Sequence, residues 1–293
     1  MVAAIREPAV GQHRRAIVNG IRLHYVEEGE GPAVLLLHGF PEFWYSWRHQ
    51  IPALAAAGCR VVAPDLRGYN ESDKPPGVDS YRPEVLVEDV AALIRQIGPG
   101  PAVVVGHDWG GFIAWLVAMR RPELVRRLIV LNAPHPATFL HELRHARQYL
   151  RSLYMFFFQL PWLPEACLRF QNFGLVGHAL RRQPIHPGTF TNADIQLYKA
   201  ALAKPGALTA ALNYYRAAFR HRREMPRMFR TVNVPAMVIW GARDAYLNPH
   251  VTDGLLALAP HLRVLELPDA SHWVQNDAPD QVNRAIIDFL RQV

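Results

Sequence analysis

One short stretch constrains this chain more than any other: Val103-Val104-Val105-Gly106-His107-Asp108-Trp109-Gly110-Gly111-Phe112. Three β-branched apolar residues in a row read as a buried strand, and the apolar run from Phe112 to Met119 reads as a buried helix. Passing from strand to helix in so few residues brings two backbones close together, and the glycines around Asp108 permit that approach. The residue at the apex is forced out of the sheet, with its side chain exposed at the helix N-terminus. In the plainest reading Asp108 only caps the helix. The complete strand–turn–helix context of the Gly-x-Asp-x-Gly frame gives it a second reading, as a reactive group held on a tight turn.

The remainder of the chain builds a sheet around this turn. Residues 1–15 lack apolar periodicity and are expected to form a loose arm. Residues 16–18 and 21–27 flank Asn19-Gly20, a pair suited to the positive φ angles of a hairpin turn. Ala33-Val34-Leu35-Leu36-Leu37 is apolar throughout, as a central strand covered on both faces must be. Further strands are expected at 60–64, 127–131, 236–240 and 262–267, with helices at 83–97 and 279–290. Strands that alternate with helices imply a doubly wound, mostly parallel sheet of the α/β class.

Between about residues 135 and 230 the pattern changes. No strand-like run occurs, and helical stretches are interrupted by Pro161, Pro164, Pro184, Pro187 and Pro205. Tyr149, Tyr154, Phe156, Phe157, Phe158, Trp162, Tyr214, Tyr215 and Phe219 make it unusually aromatic. It reads as a helical lid inserted into the sheet domain, giving a core of residues 1–134 and 231–293 and a lid of residues 135–230. Most of these rings belong to the lid's own core, and some should face an apolar pocket below.

Of the 293 residues, 50% are hydrophobic, so one elaborated domain can bury a large core. The formal charge is +7, almost all of the positive charge being arginine spread along the chain. Clusters such as Arg220-His221-Arg222-Arg223 read as solvated faces or lid-to-core ion pairs, which argues against nucleic acid as a partner. Cys59 and Cys167 are too few and too far apart for a disulfide framework or a metal site, and they suit a reducing cytoplasm. No apolar run reaches membrane-spanning length. The sequence leaves open whether the protein is a monomer or a homodimer.

Two more groups join Asp108. Asp244 follows the strand at 236–240, within Gly241-Ala242-Arg243-Asp244, and His272 follows the last strand, within Ser271-His272-Trp273. All three sit in loops after strands, so they can meet at one edge of a parallel sheet. A carboxylate, a second carboxylate and a histidine fit the roles of nucleophile, orienter and base. His107 is a rival histidine, but its side chain should point away from the apex. Asp269 is the nearest rival acid. Asn132 closes the strand at 127–131 and, as an amide, cannot serve as the acid.

The Asp108 turn resembles the nucleophile elbow of α/β-hydrolases, where serine is usual at the apex. Together with His38-Gly39-Phe40-Pro41, Gly241-Ala242-Arg243-Asp244 and Ser271-His272-Trp273, it resembles soluble epoxide hydrolases of that superfamily from about residue 16 to the end. The resemblance implies an α/β-hydrolase fold and a covalent alkyl ester on Asp108. It gives His272 and Asp244 the activation of water, and the backbone N–H groups of Phe40 and Trp109 the oxyanion hole. Two lid tyrosines would protonate the epoxide oxygen. Asn213-Tyr214-Tyr215-Arg216 assigns one role to Tyr215. Phe158-Gln159-Leu160-Pro161 assigns the other by spacing to Tyr154, with Tyr149 as the alternative. Phe40, Trp109, Phe158 and Trp273 are expected at the substrate, a small apolar epoxide turned into a diol with water and without metal or organic cofactor. An Asp elbow is shared with haloalkane and haloacid dehalogenases. Against these stand the lack of Asn at position 40 and of Arg after Asp108. A non-catalytic ligand-binding member of the fold is the remaining alternative.

Overall fold

A computed structural model describes residues 10–292. Its centre is an eight-stranded sheet in the order β1-β2-β4-β3-β5-β6-β7-β8. These strands are β1 (Gln12–Val18), β2 (Ile21–Glu28), β3 (Ala33–Leu37), β4 (Arg60–Pro64), β5 (Ala102–His107), β6 (Val125–Leu131), β7 (Ala236–Gly241) and β8 (Leu262–Leu267). β2 pairs antiparallel with β1 and β4, and every other pairing is parallel. The sheet is therefore mostly parallel, of the α/β-hydrolase type.

Burial follows position in the sheet. Val34 to Leu37 of β3 and all of β5 are buried, because helices cover both faces of a central parallel sheet. β8 lies at the edge and leaves Val264 exposed. The helices α1 (Gln50–Ala56), α2 (Pro83–Ile97) and α3 (Trp109–Arg120) precede β6. Ile113, Leu116 and Val117 of α3 are fully buried, each worth about 1.5–3 kcal/mol of transfer free energy.

The expected loose arm is partly a strand. β1 begins at Gln12, and Gln12 to Val18 pair in unbroken register with β2. Gln12-His13-Arg14-Arg15 lie on an exposed edge, so they carry no apolar pattern that would reveal the pairing. The rest of the arm, residues 1–9, lies outside the described residues. The hairpin turn forms at Asn19 and Gly20, with φ of 45° and 77°.

Between β6 and β7 the described residues form helices: α4 (Pro136–Glu142), α5 (Ala146–Arg151), α6 (Leu153–Phe157), α7 (Leu163–Arg182), α8 (Asn192–Ala203) and α9 (Ala207–Arg220). Pro164 does not break a helix. It occupies the first turn of α7, where no backbone N–H is needed. The remaining helices are α10 (Leu255–Leu258), α11 (Val274–Asp277) and α12 (Pro279–Arg291). Arg220 and His221 reach Asp79 at 3.4 and 3.0 Å, so part of the basic cluster ties the helical segment to the sheet domain. Among the described residues no helix is long and apolar enough to cross a membrane.

Candidate active site

The turn between β5 and α3 places Asp108 at φ 50°, ψ −120°, a conformation that costs a non-glycine residue of order 1–3 kcal/mol. Tight packing enforces it: a Cβ on Gly110 would lie 2.1 Å from the carbonyl oxygen of Leu37 in β3. The loop after β3 comes equally close. A Cβ on Gly39 would stand 2.3 Å from Asp108 Oδ1, so only glycine there leaves room for the carboxylate. The next residue uses that room, since the Phe40 N–H donates to Asp108 Oδ1 at 2.7 Å.

His272, after β8, and Asp244, after β7, complete the group. His272 Nδ1 is 2.8 Å from Asp244 Oδ2, and its Nε2 is 3.7 Å from Asp108 Oδ2. Asp244 Oδ2 also accepts from Asn132 Nδ2 at 2.8 Å, and Oδ1 accepts from the N–H groups of Tyr246 and Leu247 at 2.7 and 3.0 Å. Burial alone would raise the Asp244 pKa, but the His272 charge and these donors hold it below the usual carboxyl value. Burial alone would lower the His272 pKa. The neighbouring Asp244 and Asp108 carboxylates overcome that and push it up to about 10. At neutral pH His272 is thus an imidazolium lying between two carboxylates.

A second buried pair lies beneath. His107 Nδ1 is 2.8 Å from Glu42 Oε2, and His107 Nε2 is 2.8 Å from the His272 carbonyl oxygen. Glu42 also accepts from the Gly39 N–H and the Ser46 hydroxyl. Burial opposes the charge on Glu42, yet His107 and these donors lower its pKa to about 2. The His107 ring thus bridges the Glu42 carboxylate and the backbone of His272.

Above the carboxylate is a cavity of about 350 Å³ with a largely apolar lining. Asp108 and His272 open into it from the sheet side, and Tyr154 and Tyr215 from the helical side. The two phenol rings are 5.9 Å apart, and Tyr215 packs edge-on against Trp109 at 4.9 Å. Burial, then the Asp108 charge, raises the Tyr154 pKa well above normal. Burial, then Tyr154 and Asp108, does the same for Tyr215. Both hydroxyls keep their protons.

Residues 32–279 match the family described as the alpha/beta hydrolase fold. The AB hydrolase superfamily protein YfhM of Bacillus subtilis is 42% identical over 280 residues, covering 93% of this chain and 96% of that protein. Epoxide hydrolase 4 of Homo sapiens is 39% identical over 300 residues, covering 99% of this chain and 82% of that protein. The chain belongs to the epoxide hydrolase family of the α/β-hydrolase fold. The crystal structure of a Bacillus megaterium epoxide hydrolase in complex with an inhibitor is similar with a TM-score of 0.86. It is 36% identical, covering 95% of this chain and all of that one. The chain is accordingly a hydrolase.

In this epoxide hydrolase family member some expected residues lie elsewhere than at the cavity surface. Trp273 is 1% exposed and stands behind His272, packed against Phe190 and Tyr246, because the small residues before it turn the loop into the core. Phe40 and Phe158 are likewise not cavity-lining. Their rings meet Tyr215 at 5.7 and 5.1 Å and form the layer that backs it. Trp109 does line the cavity. Tyr149 is 45% exposed and packs on Phe156, away from the cavity lining, whereas Tyr154 reaches it. Asp269 pairs with Arg243 at the surface. Sequence reasoning passed over Glu42, Tyr246 and the true position of Asn132. Glu42 directly follows His38-Gly39-Phe40-Pro41, and that adjacency was the available signal. Among the described residues, the group able to hold a metal ion is His141, Glu142 and His145, which shares no member with the Asp108 group.

Proposed function

We propose that the protein hydrolyses an apolar epoxide to a vicinal diol through a covalent ester on Asp108. The observation that carries this reading is the cavity itself: a carboxylate on the sheet side and two protonated phenols, Tyr154 and Tyr215, on the side opposite. An epoxide has no carbonyl, so attack must fall on an sp³ carbon while the oxygen leaves but stays attached to the product. Asp108 Oδ2 forms the new bond to carbon, and the strained C–O bond breaks. A phenol donates its proton to the developing alkoxide. Residues 135–230 act here as the lid that supplies these donors and excludes water.

Ester formation removes the Asp108 charge from beside His272. One of the two carboxylates that raise its pKa is then gone, and the imidazolium can release its proton. The balance closes when the proton shed by His272 returns to the phenolate left by the first step. Neutral His272, oriented by Asp244, then takes a proton from water as that water attacks the ester carbonyl carbon. The bond from that carbon to the product oxygen breaks, and the product alkoxide takes the proton of the newly added hydroxyl. The diol leaves with Asp108 again a carboxylate and His272 again protonated. The Phe40 N–H already donates to Asp108 Oδ1, and the Trp109 N–H at the start of α3 is the second oxyanion donor. Such donors are worth roughly 3 kcal/mol each in related chemistry. Neither step calls for a metal or an organic cofactor. The unpaired thiols Cys59 and Cys167 suit a cytoplasmic setting.

Dehalogenation by the same Asp108 needs donors for a departing halide. The Trp109 indole, the one candidate considered for that role, packs edge-on against the Tyr215 ring. A panel of aryl and alkyl epoxides and haloalkanes tests the reading, with diol and halide release both measured. Diol from epoxides without halide release is the expected result. Halide release without epoxide turnover would overturn it.

A further inference from the structure

The described residues contain one arrangement that the epoxide chemistry does not use. α4 ends in His141-Glu142, and the chain then turns through Leu143-Arg144 to His145, which precedes α5. The turn is held by the N–H groups of Arg144 and His145, which donate to the carbonyls of His141 and Glu142 at 3.1 and 2.9 Å. It folds both imidazoles back onto one carboxylate. His141 Nδ1 lies 3.6 Å from Glu142 Oε1, and His145 Nε2 lies 3.8 Å from the same oxygen. All three possible ligand atoms fall within 4.8 Å of one another.

We infer that His141, Glu142 and His145 form a binding site for a borderline divalent cation of the Zn²⁺ type. Two imidazoles and a carboxylate suit Zn²⁺, Ni²⁺ or Cu²⁺ better than Ca²⁺ or Mg²⁺, which favour oxygen ligands. Bonds of about 2.1 Å at tetrahedral angles put neighbouring ligand atoms roughly 3.4 Å apart. Two of the three separations are already close to that, and the third closes by rotating imidazoles whose side chains are 67% and 58% exposed. The carboxylate is the fixed member. Its side chain is 12% exposed, and Oε2 accepts from Asn248 Nδ2 at 3.5 Å, a contact of the kind that orients a metal ligand. With three protein ligands, the fourth position is left to water.

The spacing His-Glu-x-x-His also occurs in zinc proteases, where both histidines project from one continuous helix and the glutamate serves as base. Here α4 stops at Glu142, so the glutamate joins the histidines as a ligand. An ion at this point ties the end of α4 to the start of α5. Phe139, Leu140 and Leu143 of that segment line the cavity, so the ion would brace one of its walls. The site stands or falls independently of any role for Asp108.

The test uses the full-length chain without a histidine tag, stripped with chelator and titrated with ZnCl₂ by calorimetry. Co²⁺ serves as a visible-absorption probe of four-coordination. The wild type should bind one Zn²⁺ saturably and give the intense d–d bands of tetrahedral Co²⁺. The exposed double change His141→Ala/His145→Ala should keep the metal-free melting temperature and lose both signals. Glu142→Gln should weaken Zn²⁺ by at least about tenfold, the smallest effect usual for residues that support a metal site. No saturable binding by the wild type overturns the inference, as does binding that the double variant retains.

Discussion

The sheet edge and the helical segment above it hold their functional groups by different means. On the sheet side the acid and the nucleophile are held by short, directed bonds. Asp244 receives four donors, and Asp108 is met by the Phe40 N–H. On the helical side Tyr154 and Tyr215 are held mainly by ring edges. Tyr215 sits against Phe40, Phe158 and Trp109, and Tyr154 against Phe158 and Tyr246. The segment also leaves Leu150, Leu153, Trp162 and Phe170 exposed, whereas β3 and β5 are almost wholly buried. Charges in a buried floor need exact partners because an unpaired one is costly. Neutral phenols in a packed roof can shift with their neighbours. The floor should therefore respond sharply to small polar changes, and the roof should respond in proportion to the hydroxyls lost.

The largest effect is expected at Asp244. Asp244→Asn places an amide among four donors and removes the charge that holds the His272 tautomer. Ester hydrolysis should fall by roughly 10⁴-fold, as for the equivalent change in a serine triad. Single-turnover kinetics should show ring opening followed by a stalled ester. Near-normal turnover would break the account of the floor.

Removing a hydroxyl from the roof should do less. Tyr215→Phe keeps the ring packing and should slow ring opening by roughly 10- to 1000-fold, with Tyr154 compensating in part. The double change with Tyr154→Phe should cost more than either alone, while the melting temperature moves little. A double variant that opens epoxides at the wild-type rate would remove the phenols from the chemistry.

Asn132→Ala sharpens the contrast from another side. It deletes a donor to Asp244 and the two bonds that Asn132 makes with the Gly241 backbone. Chemical denaturation should show a loss of about 1–3 kcal/mol, the usual cost of orphaning buried polar groups. Turnover should fall less than in Asp244→Asn, because the carboxylate and three donors remain.

A smaller, spectroscopic effect tests the electrostatics. Asp108→Asn removes one of the two charges that raise the His272 pKa to about 10. The imidazole ¹⁵N titration of His272 should move down in that variant, as it would in the ester. The sign of the linked stability follows. A raised histidine pKa stabilises the fold fully below the ordinary imidazole value, near 6.5, and the gain is lost as pH rises through about 10. Asp108→Asn should flatten that alkaline loss. An unmoved titration would mean that Asp108 does not hold the imidazolium.

Most of the floor was legible because its geometry follows from topology. A carboxylate at a strand-to-helix turn, and an acid and a histidine after later strands, must converge at one edge of a parallel sheet. Gly110 marks where two backbones crowd, and Gly39 where the loop after β3 meets the Asp108 carboxylate. The roof was less legible, because a tyrosine in a helix does not announce which way it faces. Tyr154 and Tyr149 differ by little in sequence, yet the break between α5 and α6 turns one to the cavity and leaves the other exposed. Trp273 was misplaced for the same reason, since adjacency to His272 does not fix direction. Glu42 and the supporting role of Asn132 escaped notice because they act through other residues, and support of that kind leaves no spacing rule. β1 was hidden by its polar, edge-exposed start.

The covalent ester on Asp108 is the central claim, and isotope labelling in a single turnover tests it most directly. With enzyme in excess over epoxide in H₂¹⁸O, the diol should contain only ordinary oxygen, one atom from the epoxide and one from Asp108. The label should appear instead in the peptide carrying Asp108. Label found in the diol after that first turnover, with none in the peptide, would mean that water attacks the epoxide directly and that Asp108 is not the nucleophile.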